Sequence, residues 1–338
     1  MIKTIPRSEA PQRLRDFAKR SAAFGVVVWA LLMLTATSDS RETELVHRIV
    51  FFAVLVIVPL GLSLVATADR TNGSILFRAA VLMQPVAALV TIASFFFEKG
   101  PVSASLSAAW LVFCATVALF GLTRLLSRGL YPLYESSMDA GLLYLSVAGL
   151  WLVVYRLGVQ PFAYGEMIIL LTVVHFHFAG FAAPIIAAMV GRNLAGENRR
   201  LFSLIVASLI GAMPLVAAGI TFSPWLGLLG TLLLATGLAL LALLTIVRVL
   251  PTISSAGVRV LLSIAALSSC AAMVLACLYS YSLVAHVLII RISTMAITHG
   301  LLNAFGFATC SLLAWSRITK KSAIATPPPQ RQVVAQPR

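Results

Sequence analysis

Long apolar runs alternate with short polar breaks ten times along the chain. The runs are approximately Ser21 to Thr37, Ile49 to Ala66, Ala79 to Phe97, Ala104 to Thr123, Ala140 to Tyr155, Met167 to Val190, Leu201 to Ile220, Trp225 to Val247, Val260 to Tyr279 and Ser293 to Trp315. Most reach the roughly 20 residues that a helix needs to cross a bilayer core. A backbone in hydrocarbon must satisfy its own hydrogen bonds, and breaks this short suit helix hairpins rather than barrel strands. The pattern predicts an all-α polytopic membrane helix bundle of about ten transmembrane helices, filling residues 21–316 as one membrane domain.

Composition removes the soluble alternative. Sixty per cent of the 338 residues are hydrophobic and 11% are charged, against about 25% charged in soluble domains. The net charge of +14 carries no nucleic-acid motif with it, and its distribution reads as a topology signal. With the N-terminus inside, the inner segments hold 20 of the 25 Lys and Arg residues, and the outer loops hold Arg41, Arg48, Lys99, Arg156 and Arg291. Both termini are therefore expected in the cytoplasm. Residues 1–20 are basic, with Leu14, Phe17 and Ala18 against Arg13, Arg15 and Lys19, as in an amphipathic segment lying on anionic lipid. The first apolar run could instead be a cleaved signal, with Ala36-Thr37-Ser38 as a small-residue site. Residues 317–338 end in a proline-rich stretch and are expected to form a disordered cytoplasmic tail.

Polar groups in the middle of such runs are costly and mark candidate chemistry. The sixth run carries Glu166 near its outer mouth, then His175 and His177 ahead of Pro184. On an ideal helix the two histidines lie about 200° apart. They should meet different neighbours, or the turn before Pro184 is distorted by the missing backbone donor. The tenth run places His299, Asn303 and Gly306 on one stripe, beside a small-residue stripe of Gly300, Ala304 and Ala308 that invites a close helix neighbour. At 1.5 Å per residue, His175, His177 and His299 lie roughly within one turn of the same depth. These three, with Asn303 and Glu166, form the candidate intramembrane polar site, and the histidines are the candidate metal ligands. The competing view is interhelical glue at about 0.6 kcal/mol per contact. Asp139 is expected to cap the fifth helix at the inner surface, and Gln84 to bond between helices or line a cavity. Trp110, Trp151, Trp225, Trp315, Tyr131 and Tyr134 are expected at the membrane interfaces. Cys114, Cys270, Cys277 and Cys310 lack metal or redox spacing and read as packing residues.

The stretches His175-Phe-His-Phe-Ala-Gly-Phe181 and Thr298-His-Gly-Leu-Leu-Asn-Ala-Phe-Gly-Phe307 resemble the two signature stretches of the YndJ-like family of bacterial membrane proteins. The resemblance implies a protein of the bacterial inner membrane, classed as a transporter, and it implies no catalytic or ligand residues. A transporter in which histidine passes protons along a path is one expectation. A membrane redox protein, with haem or copper held by imidazoles, is the other. No Ser-His-Asp grouping, HExxH or phosphate-binding loop is present, so neither hydrolysis nor nucleotide-driven transport by this chain is supported. The partners expected are the lipid bilayer and a small molecule or ion.

Overall fold

The computed structural model describes residues 10–66, 74–194 and 199–325, which are helical with short connections and contain no strand. The helices are α1 (Ala10–Leu32), then α2 (Arg41–Val65), α3 (Ile75–Phe96), α4 (Pro101–Arg128), α5 (Leu133–Leu157), α6 (Glu166–Asn193), α7 (Arg200–Phe222), α8 (Pro224–Thr252), α9 (Ala256–Ala285) and α10 (Ile292–Ile318). Among the described residues, the nine from α2 to α10 are long and apolar enough to cross a membrane. Helix α10 runs on to Ala325, so the first nine residues of the expected tail are helical. The rest of the tail, and residues 1–9, lie outside the described residues.

Helix α1 joins two segments that the hydropathy pattern separates. Residues 10–20 of the expected amphipathic segment are the first turns of the same helix that carries the apolar run from Ser21. Its 23 residues extend about 34 Å and pack along α2. Lys19 Nζ donates to the Ser316 carbonyl at one end, 2.9 Å away, and Trp29 Nε1 donates to the Arg48 carbonyl at the other, 2.8 Å away. Between them Gly25 lies against the Leu55 carbonyl, where any Cβ would collide. That carbonyl faces Pro59, four residues on, which has no N–H to give it.

Helices α2 and α6 form the centre. Every residue in the apolar stretch of α2 is buried within the protein, as are 67% in α6, against 44% or fewer in the other spans. A helix apolar on all sides belongs in the interior, and in the run from Ile49 to Val65 the one polar residue is Ser63, whose hydroxyl donates to the Leu60 carbonyl of the same helix. Gly61 lets α2 approach the Phe181 ring of α6. Around this pair, α3, α4 and α5 pack in sequence on one side, and α7, α8 and α9 on the other. Helix α10 returns to α2.

Four spans widen into π-helical turns, over Ala53–Ile57 in α2, Phe176–Ala182 in α6, Thr245–Val249 in α8 and Leu302–Thr309 in α10. The first three end two residues before Pro59, Pro184 and Pro251, where a missing N–H favours a wider turn. Helix α10 has no such proline. There Thr309 Oγ1 donates to the Ala304 carbonyl at 2.6 Å and Cys310 Sγ to the Phe305 carbonyl at 3.3 Å, both five residues back. Carbonyls left open by a π turn or by a proline within a helix are taken in two places by side chains from neighbouring helices. Gln84 Nε2 donates to the Val54 carbonyl at 2.8 Å while its Oε1 accepts from Ser21 Oγ at 2.6 Å, tying α3 and α1 to α2. Tyr144 Oη donates to the Ile210 carbonyl at 2.6 Å, the one that Pro214 leaves unmatched in α7.

Candidate functional site

The π segments of α2, α6 and α10 touch one another at the centre of the bundle. His175 is the last residue of the α-helical part of α6 before its π segment, and His299 lies three residues ahead of the π segment of α10. Their rings lie 6.2 Å apart, with planes 26° from parallel. His175 Nδ1 donates to the Leu171 carbonyl at 2.7 Å, and His299 Nδ1 to the Ala272 carbonyl of α9 at 2.9 Å. A carbonyl only accepts, so each neutral ring carries its hydrogen on Nδ1 and a lone pair on Nε2. Asn303 Nδ2, within the π segment, uses both hydrogens on His299, donating to Nε2 at 3.1 Å and to the carbonyl at 2.9 Å. Among the described residues, His175 Nε2 and Asn303 Oδ1 have no hydrogen-bond partner. Both are acceptors, and all three residues are half-buried rather than sealed. The arrangement suits a cation or a hydrogen-bond donor and offers nothing to an anion.

The family model described as YndJ-like protein matches residues 48–307, more than half of the chain. The chain belongs to the YndJ-like family. It is similar to the uncharacterized membrane protein YndJ of Bacillus subtilis (strain 168), with 29% identity over 231 residues, covering 68% of this chain and 41% of that protein. The chain thus spans about two-fifths of the length of the relative it matches. No solved structure matches.

In this YndJ-like chain the other two candidates lie apart from the His175–His299 pair. His177 is completely buried. Its Nδ1 donates to the Val173 carbonyl at 2.8 Å, and its Nε2 accepts from Trp110 Nε1 at 3.1 Å, so both nitrogens are used. Glu166 sits at the head of α6, where it pairs with Lys99 at 2.5 Å, and is half exposed. Among the described residues no group of three or more His, Cys, Asp and Glu side chains is arranged to hold a metal. A cavity between α6, α8, α9 and α10, lined by Val190, Leu241, Thr245, Ser269, Phe307 and Trp315 among others, has no histidine in its wall.

Two aromatic expectations are corrected. Trp110 and Trp315 are buried within the protein rather than turned outward, Trp315 one turn from the end of α10, whereas Trp225 and Tyr131 are exposed. Trp110 lies about 14 Å into the 28-residue α4, and its N–H is satisfied by His177. The small-residue stripe of α10 faces inward, with Ala304 and Ala308 fully buried and Gly300 against Ile49 of α2. Gly306 closes instead on Ser268 of α9.

Asp139 is not a cap. Helix α5 starts at Leu133, so Asp139 lies nearly two turns inside it and is completely buried. It pairs with Arg124 Nε at 3.0 Å and Arg128 Nη1 at 2.7 Å, while Glu135 pairs with Arg124 and with Arg192 of α6 at 2.8 Å. This network clamps the ends of α4, α5 and α6.

A second polar cluster, at the Lys99 end of the bundle, has no counterpart among the sequence candidates. Helix α2 begins at Arg41 rather than near Ile49, with Ser40 accepting from the Thr43 N–H at 3.4 Å and Glu42 and Glu44 in the first turn. This start makes His47 a helical, buried residue. Its Nδ1 lies 2.8 Å from Thr37 Oγ1 and its Nε2 2.7 Å from Tyr155 Oη. Ser40 followed by Arg-Glu-Thr-Glu is the capping signal that could have extended the helix.

Proposed function

We propose that this YndJ-like chain is the membrane part of a carrier for protons or another small cation in the bacterial cytoplasmic membrane, with His175, His299 and Asn303 as its binding site. The observation that carries the reading is the set of unmatched acceptors at the meeting point of three π-widened helices. Polar groups held inside a bundle mark pathways more often than packing alone requires, and π turns cluster at functional sites. Histidine adds a group that exchanges protons near neutral pH. The 20-to-5 division of Lys and Arg favours both termini in the cytoplasm, with α1 as a tenth crossing and its basic turns against anionic lipid.

Electrophysiology on supported membranes bearing the reconstituted protein tests this reading with proton, sodium and potassium jumps. A transient current is expected in the wild type and should be lost when His175 and His299 are both changed to Ala. An undiminished current in that double variant, purified as a monodisperse species, would overturn the assignment.

A further inference from the structure

The cluster at the Lys99 end differs from every other histidine site described above in what its ring nitrogens touch. His175, His177 and His299 each tie Nδ1 to a backbone carbonyl, which accepts a hydrogen bond and cannot pass a proton on. His47 is held between two hydroxyls, which can do both. The direction of the chain of bonds is fixed at its far end. Glu44 Oε2 accepts from the Thr37 hydroxyl at 2.9 Å and from the Thr37 backbone N–H at 2.8 Å, and the carboxylate is paired with Arg48. Thr37 has spent its one hydroxyl hydrogen on Glu44, so its oxygen accepts from His47 Nδ1–H. His47 Nε2 then holds a lone pair and accepts from the Tyr155 hydroxyl. Every donor points toward Glu44.

We propose that Tyr155, His47, Thr37 and Glu44 form a proton relay that ends at the partly exposed Glu44 carboxylate. A proton that reaches the buried Tyr155 oxygen binds it as the tyrosine's own O–H bond breaks and its proton joins His47 Nε2. The Nδ1–H bond then breaks toward Thr37 Oγ1, and the original Thr37 hydroxyl proton passes to the Glu44 carboxylate, which returns it to water. One proton enters and one leaves, no electrons are exchanged, and His47 is left as its other tautomer, which a proton passing the opposite way along the same bonds restores. The surroundings favour passage over storage. Arg48 and Arg156 lie beside the aromatic rings around His47, Lys99 lies 4.4 Å over the Tyr155 ring, and Glu166 balances Lys99. A proton lodged on His47 would face three cations.

The relay uses none of the cation-site residues, so either assignment can fail alone. The test is exchange of histidine ring N–H with water in the full chain, labelled with 15N-histidine in detergent micelles and assigned with His47→Gln and His177→Gln. His47 and His177 are both buried, yet His47 N–H is expected to exchange at least about tenfold faster, because positioned acid–base groups accelerate proton transfer by that much or more. Thr37→Val should remove the difference and Thr37→Ser should keep it. Equal exchange at His47 and His177 in the wild type would overturn the relay, as would fast exchange at His47 in a folded Thr37→Val protein. If Thr37→Val does not fold, the wild-type comparison and the Thr37→Ser variant decide.

Discussion

Trp110 Nε1 donates to His177 Nε2 at 3.1 Å, joining α4 to α6 at a point that no solvent reaches. The bond explains why two histidines two residues apart have different surroundings. One ring is locked by its neighbours and the other faces His299.

Trp110→Phe should leave the His177 lone pair unmatched and lower stability by about 1–3 kcal/mol. His177→Ala should also destabilise, by opening a hole beside the indole. Neither should change any cation current per folded molecule. Thermal unfolding in detergent, set beside the current, checks both halves. An unshifted melting temperature for Trp110→Phe would show that the bond contributes nothing.

Asp139→Asn should be among the most destabilising single changes in the chain. The substitution keeps shape but takes from Arg128 its carboxylate partner and from Arg124 one of two, the other being Glu135, and both arginine side chains are at least nine-tenths buried. Breaking a buried pair typically costs about 3–5 kcal/mol. Glu135→Gln should cost less, because its carboxylate retains some exposure. Denaturant titration of the two variants gives the order, and the reverse order would refute it.

Tyr144→Phe releases the Ile210 carbonyl, which Pro214 leaves without a backbone donor. A loss of about 1 kcal/mol is expected. In a Pro214→Ala background the restored N–H can take that carbonyl, and the cost of Tyr144→Phe should shrink. A double-mutant cycle on thermal stability measures the difference. Strict additivity would mean that the hydroxyl is not serving the proline's orphan.

The class of fold was legible because hydropathy reports length and apolarity directly. Helix starts were not, and α2 and α5 show why. Each begins seven or eight residues ahead of its apolar run with ionised residues that are paired, Arg48 with Glu44 one turn back on α2 and Asp139 with Arg124 and Arg128 of α4. A hydropathy reading sees the charge and cannot see the partner. Similar depth for His175 and His299 followed from the fixed rise per residue. Which neighbours they meet did not, because the π turns change the angle each residue adds, and only the turn before Pro184 gave notice of that. His47 stayed hidden among the arginines of a presumed loop. Trp110 was hidden by the habit of tryptophan to mark interfaces, a rule that gives way when a buried acceptor is within reach of the indole.

A π turn holds one residue more than the α-helical frame on either side requires. Removing a single residue from within Phe176–Ala182 should therefore let α6 close into unbroken α-helix, with its two flanks still facing the helices they face now. The same deletion in the unbroken α4 would swing everything beyond it by about 100°. The centre of the bundle is thus the part of the chain that can lose a letter and keep its place.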